Sequence, residues 1–263
     1  MEKIGIIGTG HMGKALLKGL IRSRYAMPRQ FILSGGKSGK TQELANKLKC
    51  IYASSNTEVA KKCNHIILAV TPQVLPHVLK EIAASISKDT LLISLAASFT
   101  IADLEAHLPA KTQIIRALPN IPVDVCAGMT ALCASSSIKR SSLNAIRHMF
   151  ESVGKTLFVE ENKLPISSIV AGCSPAFTAL FIEALADAGV MYGLSRDEAY
   201  LIAKQAALGT AQSLLEQEIH PAEFKDMVAS PGGITIRGIA ALEQNGLRNA
   251  VIQAVKAANT PLT

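Results

Sequence analysis

The chain has no tryptophan, and aromatic residues make up only 4% of its 263 residues. Proteins that bind single-stranded nucleic acid stack bases on aromatic side chains, and duplex binders carry dense basic stretches. Neither feature is present, so no nucleic-acid partner is expected. Cysteine is sparse and unpatterned: Cys50, Cys63, Cys126, Cys133 and Cys173 form no C-x-x-C pair. An odd, irregular set argues against a disulfide framework and for reduced, buried thiols. The six histidines are scattered with no H-x-x-x-H pair, so no metal is expected. Charged residues amount to only 18% against 49% hydrophobic, which excludes a disordered chain. No apolar run reaches spanning length without interruption, and the chain opens straight into an apolar strand. The expectation is a cytoplasmic protein with no membrane partner.

What is present begins with an uneven charge. Residues 1–160 hold 20 Lys and Arg against 10 Asp and Glu, whereas residues 161–263 hold 7 against 10. A basic N-terminal part suits a phosphate-rich ligand. The first thirteen residues say which kind. The apolar run Ile4-Gly5-Ile6-Ile7 leads directly into Gly8-Thr9-Gly10-His11-Met12-Gly13. A strand followed by G-x-G-x-x-G and a helix is the fingerprint of a dinucleotide site. Gly8 permits the turn, Gly10 lets a pyrophosphate approach the backbone, and Gly13 lets the helix pack close. The helix over His11–Ser23 then points free N–H groups at the phosphates.

A series of strands and helices continues from there. Gln30–Ser34 reads as the second strand. NAD sites usually carry an acidic residue about 20 residues past the glycines to hold the ribose 2′-OH. Here the stretch is Ser34-Gly35-Gly36-Lys37-Ser38-Gly39-Lys40, with no carboxylate to repel a 2′-phosphate and two lysines to hold one. NADP(H) is therefore preferred, with NAD(H) possible. His65–Val70 and Thr90–Leu95 are continuous apolar runs of buried parallel-strand type. Ligands bind beyond the carboxyl ends of such strands. Ala69, Val70, Thr71 and Pro72 should therefore border the cofactor, and the small residues Ala96-Ala97-Ser98 leave room for a flat ring. Strand Thr112–Ala117 ends in Leu118-Pro119-Asn120-Ile121-Pro122, where two prolines stiffen the backbone around Asn120. Asn120 is either a polar contact at the site mouth or a turn residue. Two further strands and a helix close the first domain near residue 160.

The remainder, 161–263, shows helical spacing only. One long helix is expected after Gly172-Cys173-Ser174-Pro175, with the proline in its first turn. A second follows the capping box Ser195-Arg196-Asp197-Glu198. Both are apolar over a wide face, which predicts contact between subunits. Ser230-Pro231-Gly232-Gly233-Ile234-Thr235 is a second glycine-rich turn opening a helix, where the Gly232 and Gly233 amides suit a carboxylate.

With both turns placed, the chain resembles the pyrroline-5-carboxylate reductase family over essentially its full length. The resemblance rests on Gly8–Gly13, Asn56-Thr57-Glu58-Val59, Ala69-Val70-Thr71-Pro72-Gln73, Leu118–Pro122, Gly172–Phe177 and Ser230–Thr235. It implies an α/β Rossmann-type N-terminal domain (1–160) followed by an all-α dimerisation domain (161–263). It implies NAD(P)H-dependent reduction of 1-pyrroline-5-carboxylate to L-proline by a homodimer or higher oligomer, with the site shared across the dimer. Carried over residue by residue, the cofactor contacts are Ile7, Gly8, Thr9, Gly10, His11, Met12, Gly13, Ser34, Asn56, Ala69, Val70, Thr71, Pro72 and Ala97. The substrate contacts are Asn120, Glu218, Ser230, Gly232, Gly233 and Thr235, with Thr235 as the catalytic group. The chain departs from the family at Thr71 (usually Lys), Ile121 (usually Thr), Cys173-Ser174 (usually Ser-Gly) and Pro165 (commonly Asp). Two rivals stay open. One is another imine or hydroxyacid dehydrogenase, for which Lys163 is the available base. The other is an inactive nucleotide-binding regulator.

Overall fold

The computed structural model describes residues 3–260. Its first compact unit extends to Gly172 and is built on one eight-stranded sheet. The strands are β1 (Ile4–Ile7), β2 (Phe31–Ser34), β3 (Ile51–Tyr52), β4 (His65–Leu68), β5 (Leu91–Ser94), β6 (Gln113–Pro119), β7 (Gly128–Ala134) and β8 (Gly154–Phe158). Their spatial order is β3-β2-β1-β4-β5-β6-β7-β8. The first six give the 3-2-1-4-5-6 order of a Rossmann sheet. All pairs are parallel except β6 with β7.

The strand sequences explain the layering. β1, β2, β4 and β5 are apolar at nearly every position because helices cover both faces. Alternate residues divide between two cores. Ile6, Leu33, Ile67 and Ile93 pack with Leu16, Leu17 and Leu20 of α1 (His11–Arg22) and with Phe150 of α6 (Arg140–Glu151). Ile7, Ile66, Leu68 and Leu92 pack on the other side with Val59 of α3 (Asn56–Lys62) and Leu75, Val78 and Leu79 of α4 (Leu75–Ile82). Two further helices, α2 (Lys40–Leu48) and α5 (Ile101–Glu105), belong to this unit.

The next helix corrects the expectation of a start after Pro175. It is α7 (Leu164–Met191), with Pro175 inside it. Pro165, at its second position, is the first-turn proline, where a missing N–H costs nothing. The early start follows from packing, since Leu164 is fully buried against Leu118, Ala131 and Cys133. The division into compact units falls between Gly172 and Cys173, within α7.

The second unit contains α8 (Arg196–Gln217), α9 (Pro221–Val228), α10 (Ile234–Gln244) and α11 (Leu247–Ala258). The Ser195/Glu198 capping box forms as read: Ser195 Oγ accepts from the Glu198 N–H and Glu198 returns a bond to the Ser195 N–H. Leu180, Phe181, Leu185 and Met191 of α7 and Leu201, Ile202 and Leu208 of α8 remain exposed. By length and composition alone, Glu161–Met191 is also apolar enough to cross a membrane. That corrects the expectation that no such run exists.

Among the described residues the five cysteines are unpaired. Burial pushes the Cys63 thiol up to about 12. Only the thiolate attacks an alkylating agent. Iodoacetamide at pH 8 should therefore leave Cys63 unmodified in the native protein and label it after denaturation, as peptide mass spectrometry would show.

Candidate active site

The carboxyl ends of β1, β2, β4 and β5 line one edge of the sheet, and β1 sits at the point where strand order reverses. Backbone bonds knit this edge: Gly8 N–H donates to Ser34 O (2.9 Å), Ala69 N–H to Ile7 O (2.8 Å) and Leu95 N–H to Leu68 O (3.0 Å). The expected cofactor residues Ile7 to Gly13, Ser34, Ala69 to Pro72 and Ala97 all fall on or just past these ends.

The three glycines differ physically. Gly8 has φ +98°, and a Cβ there would sit 2.6 Å from Ala69 O. Gly13 lies in the first turn of α1, and its Cβ would sit 2.2 Å from Gly8 O and 3.0 Å from Ala69 Cβ. A Cβ on Gly10 would meet no protein atom within 4 Å and would project into open space at the helix mouth. Two glycines are thus needed for the protein's own close approach, whereas Gly10 keeps clear a cradle that a side chain would fill. Gly10 is also the N-cap of α1 and offers no side-chain cap, so the first-turn N–H groups face outward. His11 and Met12 open the helix, His11 exposed and Met12 half-buried. The edge fits a dinucleotide pyrophosphate.

The neighbouring loop carries a polar chain. Ser34, 1% exposed, donates through Oγ to Asn56 Oδ1 (2.8 Å), and Asn56 Nδ2 donates to Glu81 Oε2 (2.6 Å). Ser34 and Asn56 are therefore one linked unit, fixed from behind by Glu81, a residue the motif pattern did not reveal. Thr41, at the start of α2, shares a 2.7 Å hydroxyl bond with Thr9 and so ties the two glycine loops together. Lys37 and Lys40 are exposed beside the N-terminus of α2. A 2′-phosphate fits this loop.

Thr71 and Pro72 lie exposed in the turn before α4, where the Thr71 carbonyl accepts from Val74 and Leu75 N–H. Ala97 is exposed in the loop after β5. Its carbonyl accepts from Arg116 Nη2 at 2.7 Å. Arg116, 2% exposed on β6, belongs to no motif and shows in the sequence only as a cation inside an apolar strand.

Asn120 follows β6 directly. Its side chain is a brace of the fold: Oδ1 accepts from Met129 N–H (2.8 Å), and Nδ2 donates to Ala171 O (3.0 Å). Ala171 stands four residues before Pro175 in α7, and proline has no N–H to fill that carbonyl. Asn120 thus satisfies a helix carbonyl left open by a proline, and both ends of its amide are engaged.

In the second unit, Ser230–Thr235 forms one turn at the mouth of α10. Gly232 has φ +69°, and Gly233 is the N-cap with no side-chain cap. One expectation changes. The Gly233 N–H is not free, because it donates to Ser230 O at 3.1 Å. The donors left without an intrahelical acceptor are the first-turn amides of Ile234, Thr235 and Ile236. Thr235 is half-buried at the second helical position. Glu218 is exposed and takes left-handed backbone (φ 52°) at the C-cap of α8. Lys163, the rival base, is a surface residue paired with Glu160 at 3.3 Å.

A family model described as pyrroline-5-carboxylate reductase dimerisation matches residues 161–261, and one described as NADP oxidoreductase coenzyme F420-dependent matches residues 3–98. The pyrroline-5-carboxylate reductase of Escherichia coli (strain K12) is 40% identical over 254 residues, covering 97% of this chain and 94% of its own length. Among solved structures, pyrroline carboxylate reductase of Plasmodium falciparum with NADP bound matches at TM-score 0.87 and 31% identity, covering 98% of this chain and 95% of that one. The Coxiella burnetii pyrroline-5-carboxylate reductase matches at TM-score 0.89 and 31% identity, covering 98% and 96%. With identity at this level sustained across nearly the whole of both chains, this chain belongs to the pyrroline-5-carboxylate reductase family.

Proposed function

We propose that this chain reduces 1-pyrroline-5-carboxylate to L-proline with NADPH, as a homo-oligomer, in the cytoplasm. The observation that carries the reading is the glycine trio, in which Gly10 alone holds open a cradle over the α1 amides. When bound, the reduced nicotinamide supplies a hydride for the C=N carbon. The chain's own groups bind and orient. The α1 mouth grips the pyrophosphate, and the loop of Ser34 to Lys40 takes the 2′-phosphate. The first-turn amides of α10, with Ser230 and Gly232, hold the substrate carboxylate. Thr235 hydrogen-bonds the ring nitrogen and keeps its proton in place. Glu218 stands as a further substrate contact. A protonated imine is already electrophilic, so orientation is the larger part of what the protein contributes. Five free thiols suit a reducing compartment.

The test follows NADPH absorbance with pyrroline-5-carboxylate present. Thr235→Ala should lower turnover by about tenfold, the worth of one well-placed hydrogen bond. Unchanged turnover would remove Thr235 from the mechanism. The wild type should show a higher kcat/KM with NADPH than with NADH. A preference for NADH would overturn the assignment of the Ser34–Lys40 loop.

A further inference from the structure

Arg116 is a buried cation in a strand that has no structural need for one. Its neighbours Ile114, Ile115 and Ala117 are fully buried. Its register partner on β5 is Ser94, the last residue of that strand, so Arg116 stands level with the start of the loop that follows. Nη2 donates to the Ala97 carbonyl (2.7 Å), and Nη1 donates to Glu161 Oε1 (2.8 Å). The same Glu161 oxygen accepts from the Ile101 N–H (2.6 Å), at the start of α5. The Nε atom is buried without a partner. An arginine kept for stability alone would not leave a buried donor orphaned, and an apolar residue of similar volume would cost less.

The geometry converges on one segment. The loop of residues 95–100 is fixed at its start by Leu95 N–H to Leu68 O. It is fixed at its end by the Thr100/Asp103 capping box and by Glu161 on Ile101. Between these anchors, the Arg116 guanidinium holds Ala97. We propose that Arg116 is a positioning residue for hydride transfer: by pinning the Ala97 carbonyl, it sets the loop against which the nicotinamide ring lies. This rests on the reading that Ala97 borders that ring. The guanidinium does not touch substrate. It acts through the backbone of the loop, and Glu161 acts through the guanidinium. Ala97 is exposed and Glu161 is one-third exposed, so water can satisfy both when the guanidinium is removed. The loop is then freed while the sheet beneath it persists.

The experiment compares Arg116→Met, Arg116→Ala, Glu161→Gln and Ala97→Leu with the wild type. It measures kcat, KM for NADPH and the deuterium isotope effect on kcat with NADPH deuterated at the transferred position. Arg116→Met should lower kcat by about tenfold or more, as misplacement of a reacting centre does. Its KM for NADPH should stay within about twofold, because the pyrophosphate and 2′-phosphate contacts are elsewhere. The isotope effect should rise as hydride transfer becomes limiting. Added guanidinium should restore part of the kcat of Arg116→Ala. Glu161→Gln, which keeps an acceptor for Ile101, should show the same pattern more weakly and covers the case of an Arg116 variant that fails to fold. A raised KM with kcat intact, or an unchanged isotope effect in both Arg116→Met and Glu161→Gln, overturns the proposal. Ala97→Leu separates the two readings. If it cuts turnover and the Arg116 and Glu161 variants do not, Arg116 alone is wrong. If it leaves turnover unchanged, the placement of the ring at Ala97 is wrong and the proposal falls with it.

Discussion

Gly13→Ala weakens NADPH binding by about 100-fold or more, equivalent to about 2.7 kcal/mol. The reason is steric and local. A Cβ at this position would sit 2.2 Å from the Gly8 carbonyl oxygen, which is backbone and belongs to the phosphate loop itself. Something must move, and the 3.0 Å approach to Ala69 Cβ closes the other direction. The loop therefore shifts away from the helix mouth whose amides it must frame. Gly10→Ala gives a contrasting result. No protein atom lies within 4 Å of its Cβ, so stability should hold while affinity falls. Calorimetric titration with NADPH, together with thermal unfolding, measures both. Wild-type affinity in Gly13→Ala would mean that the close packing of α1 on the Gly8 turn does not govern the cofactor site.

Asn120→Leu destabilises the protein by about 1–3 kcal/mol, because two half-buried backbone groups lose their partner at once. The Met129 N–H loses its acceptor, and the Ala171 carbonyl loses its donor. The second of these is a consequence of Pro175, which supplies no N–H to that carbonyl. Asn120 and Pro175 should therefore be coupled. In a Pro175→Ala background, residue 175 gains an N–H for Ala171, and Asn120→Leu should cost about 1–2 kcal/mol less. Urea unfolding of the four proteins closes this cycle. Strict additivity would show that the proline is not what gives Asn120 its task.

The first domain was legible because its signals are local. β1, β4 and β5 are bare apolar runs, the glycine spacing marks the turn after β1, and the absence of acid in the Ser34–Lys40 stretch is visible directly. What escaped reading depends on tertiary contact. The start of α7 is set by Leu164 burying against Leu118, Ala131 and Cys133, residues 30 to 50 positions away in the chain. Pro175 resembles a helix start because its usual position is the first turn, and the Asn120 amide that fills the carbonyl it leaves open is not visible in the sequence. Asn120 was open between two roles in the sequence, since a side-chain amide bracketed by prolines shows stiffness but not partners. Spacing marks the Gly233 amide as free and does not reveal the Ser230 carbonyl that takes it. Arg116 and Glu81 carry no motif at all and are found by asking which polar groups lie behind the site residues.

The central claim is that this chain moves a hydride from NADPH to the C=N carbon of 1-pyrroline-5-carboxylate. The most direct measurement supplies pyrroline-5-carboxylate and NADPH carrying deuterium at both hydrogens of C4 and examines the product by mass spectrometry and NMR. The account expects L-proline with one deuterium on the ring carbon that had been doubly bonded to nitrogen, formed in step with NADPH loss. Unlabelled proline, or NADPH left unconsumed, would contradict it.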